Sequence, residues 1–581
     1  MSAKEKDMES VHDQKTEPIY NEEEDQISSQ HKEVMGVDEE SVHVVKNDDS
    51  DGHVNWTWKQ IVATVSLCGV YVGSQIPLYF VGGCLTYIAA DLGSASAGWI
   101  PVANSLALAA VCPFCGYLQD MFGKRNISIL GSSLILLGII LTATAKSFAQ
   151  AVAGMTLAGG GAAIGELTAL AGVAELVPVK KRGLYLACVT FFIAPFFPYV
   201  LYSQLLSANA TWKWGMWITL IYNGIFFVGV LLFYFPDSHI LRKGRLSRLE
   251  VAKRIDYIGA MLSITGIILF LVALQSGGSS RPWVSAYVLC LLFIGAALIV
   301  AFVFWEWKGA KYPMVPRDLF VGQRVVAIAL AVAFVSGMNF YSMINFAPLT
   351  YSTVFDPDPI QVGVKGLGYS IAITVGASVM NAALTILKGH NREILLVSCV
   401  LMTAFTGSMA AVKPDNPGLA VGLATVAGFG IGGVIVPSAT IAMTACPDSL
   451  IATATALTLT IRFVGGSIGY SIYYNVFTEK LASKLPTTVG AYVVQAGLPE
   501  SSVTEFVTSF LTVPATAANI TGVTPAILQA ATIGSRWGYA DALKYVWYVS
   551  IPFGILSIVG CFLIGDISKF MTNRIAVQIK H

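Results

Sequence analysis

The chain has 581 residues, 55% of them hydrophobic and only 12% charged, with a mean hydropathy of +0.66. A soluble domain carries about 25% charged residues, so this composition excludes a soluble enzyme or nucleic-acid-binding module and points to a polytopic membrane protein. The net charge of +1 hides an asymmetry: residues 1–54 hold 16 acidic and 5 basic side chains, the remainder 19 and 31.

Residues 1–54 have no sustained apolar run and read as a disordered, acidic cytoplasmic tail rather than a signal peptide. Beyond them come fourteen runs long enough to cross about 30 Å of hydrocarbon. They cover approximately 60–81, 97–117, 126–145, 150–172, 183–204, 215–236, 255–275, 283–305, 325–347, 367–388, 393–412, 418–441, 451–475 and 545–566. Basic residues set the orientation. With the N-terminus inside, inward loops hold Lys124, Arg125, Lys180, Lys181, Arg182 and the cluster from Arg242 to Arg254, whereas outward loops are poor in Lys and Arg. Both termini are therefore expected in the cytoplasm. The basic segment 237–254 is expected to lie on the inner leaflet as an amphipathic helix. Segment 476–544, polar and rich in Pro, Gly and Thr, is expected to be a partly ordered outer loop rather than another span. The sequons at Asn209 and Asn519 fall in outward segments and are expected to be glycosylated.

All nine cysteines lie in or beside apolar runs, without the spacing of a disulfide scaffold. Cys112 and Cys115 have CxxC spacing but no second pair, so packing explains them better than a metal, and no metal or other cofactor is expected.

Two side chains stand out as chemically expensive. Glu166 lies inside the fourth run, slightly toward the cytoplasmic side of its middle. A carboxylate there costs about 2.5–3.5 kcal/mol on insertion scales, which makes it a candidate proton carrier. The alternative is a protonated side chain bonded between closely packed helices. Arg462 is the only basic residue near the middle of the thirteenth run and cannot shed its charge. It needs Glu166, a ligand carboxylate or backbone carbonyls, or it serves to pin the bend at Gly465 and Gly466. For a cargo cavity, polar and aromatic residues on one helical stripe are the guide. Tyr71, Gln75 and Tyr79 form such a stripe on the first span, Met338, Tyr341 and Asn345 on the ninth, and Phe192, Phe196 and Tyr199 on the fifth. Simple helix packing is the competing explanation for each.

Between the second and third runs lies Gly116-Tyr-Leu-Gln-Asp120-Met-Phe-Gly123-Lys124-Arg125, a charged turn that belongs at the membrane surface. It sets Asp120 against Lys124 and Arg125 across a tight reversal. This spacing resembles the loop between the second and third helices of the major facilitator superfamily, where the Asp helps latch the two halves on the cytoplasmic side. Gly428-Phe-Gly-Ile-Gly-Gly-Val-Ile-Val-Pro437, Ala445-Cys-Pro-Asp-Ser449 and Arg462-Phe-Val-Gly-Gly-Ser-Ile-Gly469 resemble the fungal trichothecene efflux pump family, from about residue 55 onward. The resemblance implies an all-α major facilitator fold with 14 transmembrane helices in a 6 + 2 + 6 plan. An N-terminal half would span 55–236, a linker with two extra helices 237–324, and a C-terminal half 325–566, followed by a cytoplasmic tail 567–581. Two positions depart from the pattern of drug antiporters: Ile193-Ala-Pro-Phe-Phe-Pro-Tyr199 lacks the usual fifth-helix glycines, and Met155 stands where the fourth helix usually has Arg.

The resemblance implies a proton-coupled exporter of hydrophobic or amphipathic metabolites, toxins or drugs. Expected partners are a small-molecule substrate, protons and the lipid bilayer, with no nucleic acid and a monomeric chain, in the plasma membrane or alternatively the vacuolar one. A siderophore-iron importer driven by protons is the neighbouring reading. A non-transporting sensor signalling through the acidic tail is the third.

Overall fold

The computed structural model describes residues 56–575 apart from 94–96, 237–252, 279, 321–323, 389, 513–516, 518, 519 and 521. The acidic tail, most of the basic segment 237–254, and Asn519 therefore lie outside the described residues. Among the described residues fourteen helices are long and apolar enough to span a bilayer. They are α1 (Trp58–Gly83), α2 (Trp99–Phe122), α3 (Lys124–Ala143), α4 (Phe148–Leu176), α5 (Val179–Asn209), α6 (Lys213–Phe233), α7 (Tyr257–Ser276), α8 (Ala286–Gly309), α9 (Val325–Phe355), α10 (Pro359–Ile386), α11 (Asn391–Ala411), α12 (Pro417–Ala445), α13 (Asp448–Gln495) and α14 (Pro525–Leu563). Successive helices run in opposite directions. The end carrying the 116–125 turn is called the basic end below, and the other the distal end.

Local chemistry sets several starts. Thr57 and Gln60 make a reciprocal capping box at α1, Ser147 caps α4, Asp256 caps α7 and Thr524 caps α14. Helix α5 is not continuous. Pro195 and Pro198 divide it into Arg182–Phe191, a 3-10 turn Ala194–Phe196, and Tyr199–Asn209. At the distal end Asp91 accepts from the Trp212 indole at 2.9 Å and pairs with Lys213 at 3.2 Å, contacts that hold its carboxyl below the usual carboxylate range.

Segment 476–544 differs from the expected loop. Helix α13 runs unbroken for 45 residues through Gln495, a separate helix covers Glu500–Thr512, and α14 begins already at Pro525. The reason is an amphipathic pattern that average hydropathy conceals. Leu485, Val489 and Val493 recur every four residues on α13 and pack with Phe506, Val507, Ile527 and Ala531 into a small core of their own. Among the described residues no additional span results, because the separate helix Glu500–Thr512 has 13 residues, too few to cross about 30 Å of hydrocarbon.

Small residues set how closely the spanning helices approach. A Cβ at Gly432 of α12 would fall 1.8 Å from the Ile373 carbonyl of α10, and one at Gly159 of α4 would fall 2.2 Å from the Asn104 carbonyl of α2. Gly160, the next residue, has nothing within 4 Å of that position. Gly159→Val is therefore expected to lower the melting temperature of the detergent-solubilised protein by several degrees, since forced overpacking costs about 1–3 kcal/mol. Gly160→Val, with the same change in propensity, should shift it little; equal shifts in a side-by-side melt would remove the packing explanation.

Candidate functional site

The N-terminal helices α1–α6 and the C-terminal helices α9–α14 meet along two seams, α2 with α13 and α5 with α10. At the basic end both seams are closed at backbone level. A Cβ on Gly116 would lie 2.5 Å from Ala456, and one on Gly183 2.3 Å from the Asn381 carbonyl. Asp120 receives hydrogen bonds from the Thr453 backbone N–H at 3.0 Å and the Thr453 hydroxyl at 2.7 Å, so its carboxylate sits at the N-terminus of α13 across the seam. Arg182, buried, donates to the carbonyls of Ala174 and Met443, both at 2.8 Å, and reaches Asp448 at 3.4 Å. Asp448 also accepts from Arg574 Nε at 2.7 Å. Residues 572–574 complete the closure through backbone bonds from Val179 N–H to Arg574 O and from Lys180 N–H to Thr572 O.

The turn that supplies Asp120 is not stitched as the sequence suggested. Lys124 forms a buried ion pair with Glu175 of α4. Arg125 donates to the Leu231 carbonyl at 3.1 Å and lies 4.1 Å over the Phe235 ring of the segment after α6. The basic pair thus fastens α3 to its own half, leaving Asp120 to bridge the halves. Gly123, at φ +85°, makes the reversal.

Toward the distal end the halves part around a cavity of about 610 Å³. Glu166 and Arg462 both line it, near its basic limit, and they are bonded to one another: Arg462 Nη2 donates to Glu166 Oε1 at 2.7 Å. The two residues are 1% and 7% exposed, and Glu166 belongs to α4 while Arg462 belongs to α13. A buried ion pair therefore joins the halves. Arg462 Nε has no hydrogen-bond partner and the guanidinium lies 5.3 Å from the Phe463 ring, so its donors are not exhausted by the carboxylate.

Six of the nine expected cargo-stripe residues line the same cavity: Tyr71, Gln75, Tyr79, Tyr199, Tyr341 and Asn345. Tyr79 donates to Gln75 Oε1 at 2.6 Å and stacks on Tyr199 at 4.8 Å. Three do not. On α5 the cavity side carries Thr190, Ile193 and Tyr199, whereas Phe192 packs on Phe226 and Phe196 on Tyr222 of α6. Met338 is fully buried where α9 crosses α13, against Gly469. Helical spacing gave the shared stripe correctly but not how close the neighbouring helix comes. Residues overlooked from sequence include Asn104, which donates to the Met155 carbonyl at 3.2 Å, Tyr470 and Gln275. Tyr470 was within reach of the spacing argument, since Arg462, Gly466 and Tyr470 follow at intervals of four.

Two six-helix bundles around a cavity closed at one end, with an ion pair across their interface, define a transporter of the major facilitator class rather than an enzyme. The solved structure of the proton:xylose symporter XylE bound to 6-bromo-6-deoxy-D-glucose shares this fold, with a TM-score of 0.52 at 13% identity over 87% of this chain and 95% of that one. Residues 52–581 match the family described as Fungal trichothecene efflux pump (TRI12), and the chain belongs to that family. Among its relatives, the MFS-type transporter prx5 of Penicillium rubens is 29% identical over 528 residues, which cover 89% of this chain and 92% of that protein. The Trichothecene efflux pump TRI12 of Fusarium sporotrichioides is 26% identical over 474 residues, covering 80% and 79%.

Removing the Asp120 bridge should loosen the basic end. Asp120→Ala is expected to raise the labelling rate of Cys446, a buried thiol at that end, about tenfold, the equivalent of one hydrogen bond to a charged group. Thr453→Val, which keeps the backbone N–H donor, should have a smaller effect. A labelling rate unchanged by Asp120→Ala would show that the other contacts hold the closure by themselves.

Proposed function

We propose that the protein is a proton-coupled exporter of hydrophobic or amphipathic organic molecules, with Glu166 as the proton carrier and Arg462 as its partner. The observation that carries this reading is the Glu166–Arg462 bond between the halves, inside the cavity. An ion pair across a moving interface links protonation to movement. A proton on Glu166 removes the charge that holds Arg462, weakens the join between α4 and α13, and favours the alternative arrangement of the halves. Loss of that proton restores the pair. Cargo drives exchange if its hydroxyl or carbonyl groups occupy the same side chains that the proton alters.

The charge distribution favours a cytoplasmic basic end. The described conformation is then the cytoplasm-closed one, the arrangement from which cargo leaves. Asn209, exposed at the distal end, would be an outward glycan acceptor. Export is supported by the family's description and by the name of the Fusarium relative, and a trichothecene-like terpenoid is the first cargo to test. The cavity agrees in character: Leu78, Val102, Ile344 and Ile435 supply apolar walls, while Gln75, Asn104 and Asn345 supply amides. We place the protein in the plasma membrane on the same reading.

Reconstituted vesicles with an imposed pH gradient decide the matter. Wild-type protein should accumulate a radiolabelled trichothecene against its gradient. Glu166→Gln should lose at least about tenfold of the gradient-driven flux while still exchanging labelled for unlabelled cargo. Full pH-driven accumulation by Glu166→Gln would remove the residue from coupling, and inward flux of a ferric siderophore would reverse the assigned direction. The pair can also be tested for stability. Arg462→Met strands a buried carboxylate and should destabilise by about 3–5 kcal/mol, whereas the double variant with Glu166→Gln should recover much of that loss in a thermal melt.

A further inference from the structure

The pair α7–α8 stands outside the two six-helix halves, yet Gln275 in the last turn of α7 forms part of the cavity wall. How the halves meet explains this. At the basic end α2 and α13 touch directly through Gly116 and Ala456. Toward the distal end cavity residues come from both helices, Ser105 on α2 and Tyr470 on α13, and α7 packs against both.

The distal turn of the inserted hairpin is docked on α13 by specific bonds. The Ser471 hydroxyl donates to the Leu274 carbonyl at 2.9 Å, and the Trp283 indole donates to Asn475 Oδ1 at 2.7 Å. Gly278, at φ +75°, lies so near that a Cβ would fall 1.8 Å from Asn475 Oδ1. Asn475 is itself oriented by donating to the Ser471 carbonyl at 2.7 Å. At the opposite end, the Tyr117 hydroxyl of α2 donates to the Arg254 carbonyl at 2.8 Å, and Tyr117, Ala260 and Met314 share an apolar cluster. The hairpin is thus fastened to the N-terminal half at its basic end and to the C-terminal half at its distal end.

We propose that α7 is a wall of the cargo site, with Gln275 a specificity-determining residue that contacts cargo and Asn475 a positioning residue that sets the turn bearing it. A primary amide offers two donors and one acceptor without charge. Beside Pro101, Ile344 and Leu349 it sets an uncharged polar group in an apolar wall, which suits a neutral carbocyclic molecule bearing hydroxyl or carbonyl groups better than a bare hydrocarbon. This assignment rests on the transport reading for its biological meaning, but it is tested by binding.

Cys188 and Cys290 are the exposed thiols among the described residues, so Gln275→Cys is placed in a Cys188→Ser/Cys290→Ser background. The introduced thiol should react with a water-soluble methanethiosulfonate. A saturating hydroxylated trichothecene should slow that reaction at least fivefold, whereas diphenylhexatriene, a hydrocarbon, should not. In flux assays Gln275→Leu should raise the half-saturating trichothecene concentration about fivefold, the equivalent of one hydrogen bond, and more than it lowers the maximal rate. Asn475→Ala should produce the same split. An unreactive Gln275→Cys, absence of protection by the trichothecene, or variants that lower only the maximal rate would overturn the proposal. Protection without wild-type flux would instead overturn the transport reading and leave the cargo wall standing.

Discussion

The bond between Glu166 and Arg462 is the constraint from which the rest of the arrangement follows. Neither side chain is tolerable alone in a dry helical bundle: desolvation penalises each by several kcal/mol, and only close pairing offsets it. Because one belongs to α4 and the other to α13, the need to stay paired is a force between the halves. Within the C-terminal half, α9 and α13 present small residues to one another beside Arg462. Gly337 of α9 has no room for a Cβ, which would fall 2.0 Å from the Arg462 carbonyl, and Gly465 is similarly placed against the Phe334 carbonyl. The α9–α13 approach sets the depth and angle at which the guanidinium enters the cavity.

Closure of the basic end is of a different kind. There the bonds run largely to backbone groups: Asp120 to the first turn of α13, Arg182 to two carbonyls, and residues 179–180 to residues 572–574. Hydrogen bonds to charged groups contribute about 1.5–3 kcal/mol each, and Asp448 adds ion pairs with Arg182 and Arg574. The central pair joins the halves through two buried side chains.

Much of this was legible in the sequence. Fourteen apolar runs gave fourteen spans, and the rarity of charge inside them singled out the two residues that turned out to be partners. Burial cost is a property of the residue and survives ignorance of the fold. What could not be read were features set by neighbours. Met338 shares a stripe with Tyr341 but is covered because Gly469 lets α13 press against it. Phe192 packs on Phe226 of α6 while its neighbours Thr190 and Ile193 face the cavity. Gln275 lies on a helix that sequence logic treats as a spacer, and only the gap between α2 and α13 brings it to the cavity. The helical extensions at the distal end were missed because their apolar residues are few and periodic, which an averaged window cannot register.

The length of α13 has a mechanical corollary. Arg462 and Gln495 lie on one uninterrupted helix, separated by about 50 Å at 1.5 Å per residue. The outer part is stiffened by α14, where Gly534 and Gly538 admit the side of α13 at close range. A rigid rod pivoting near the seam magnifies small tilts at its tip, so a rotation of roughly ten degrees would sweep the outer tower by about 9 Å. A spectroscopic label on that tower would act as the pointer of a gauge whose fulcrum is the buried guanidinium.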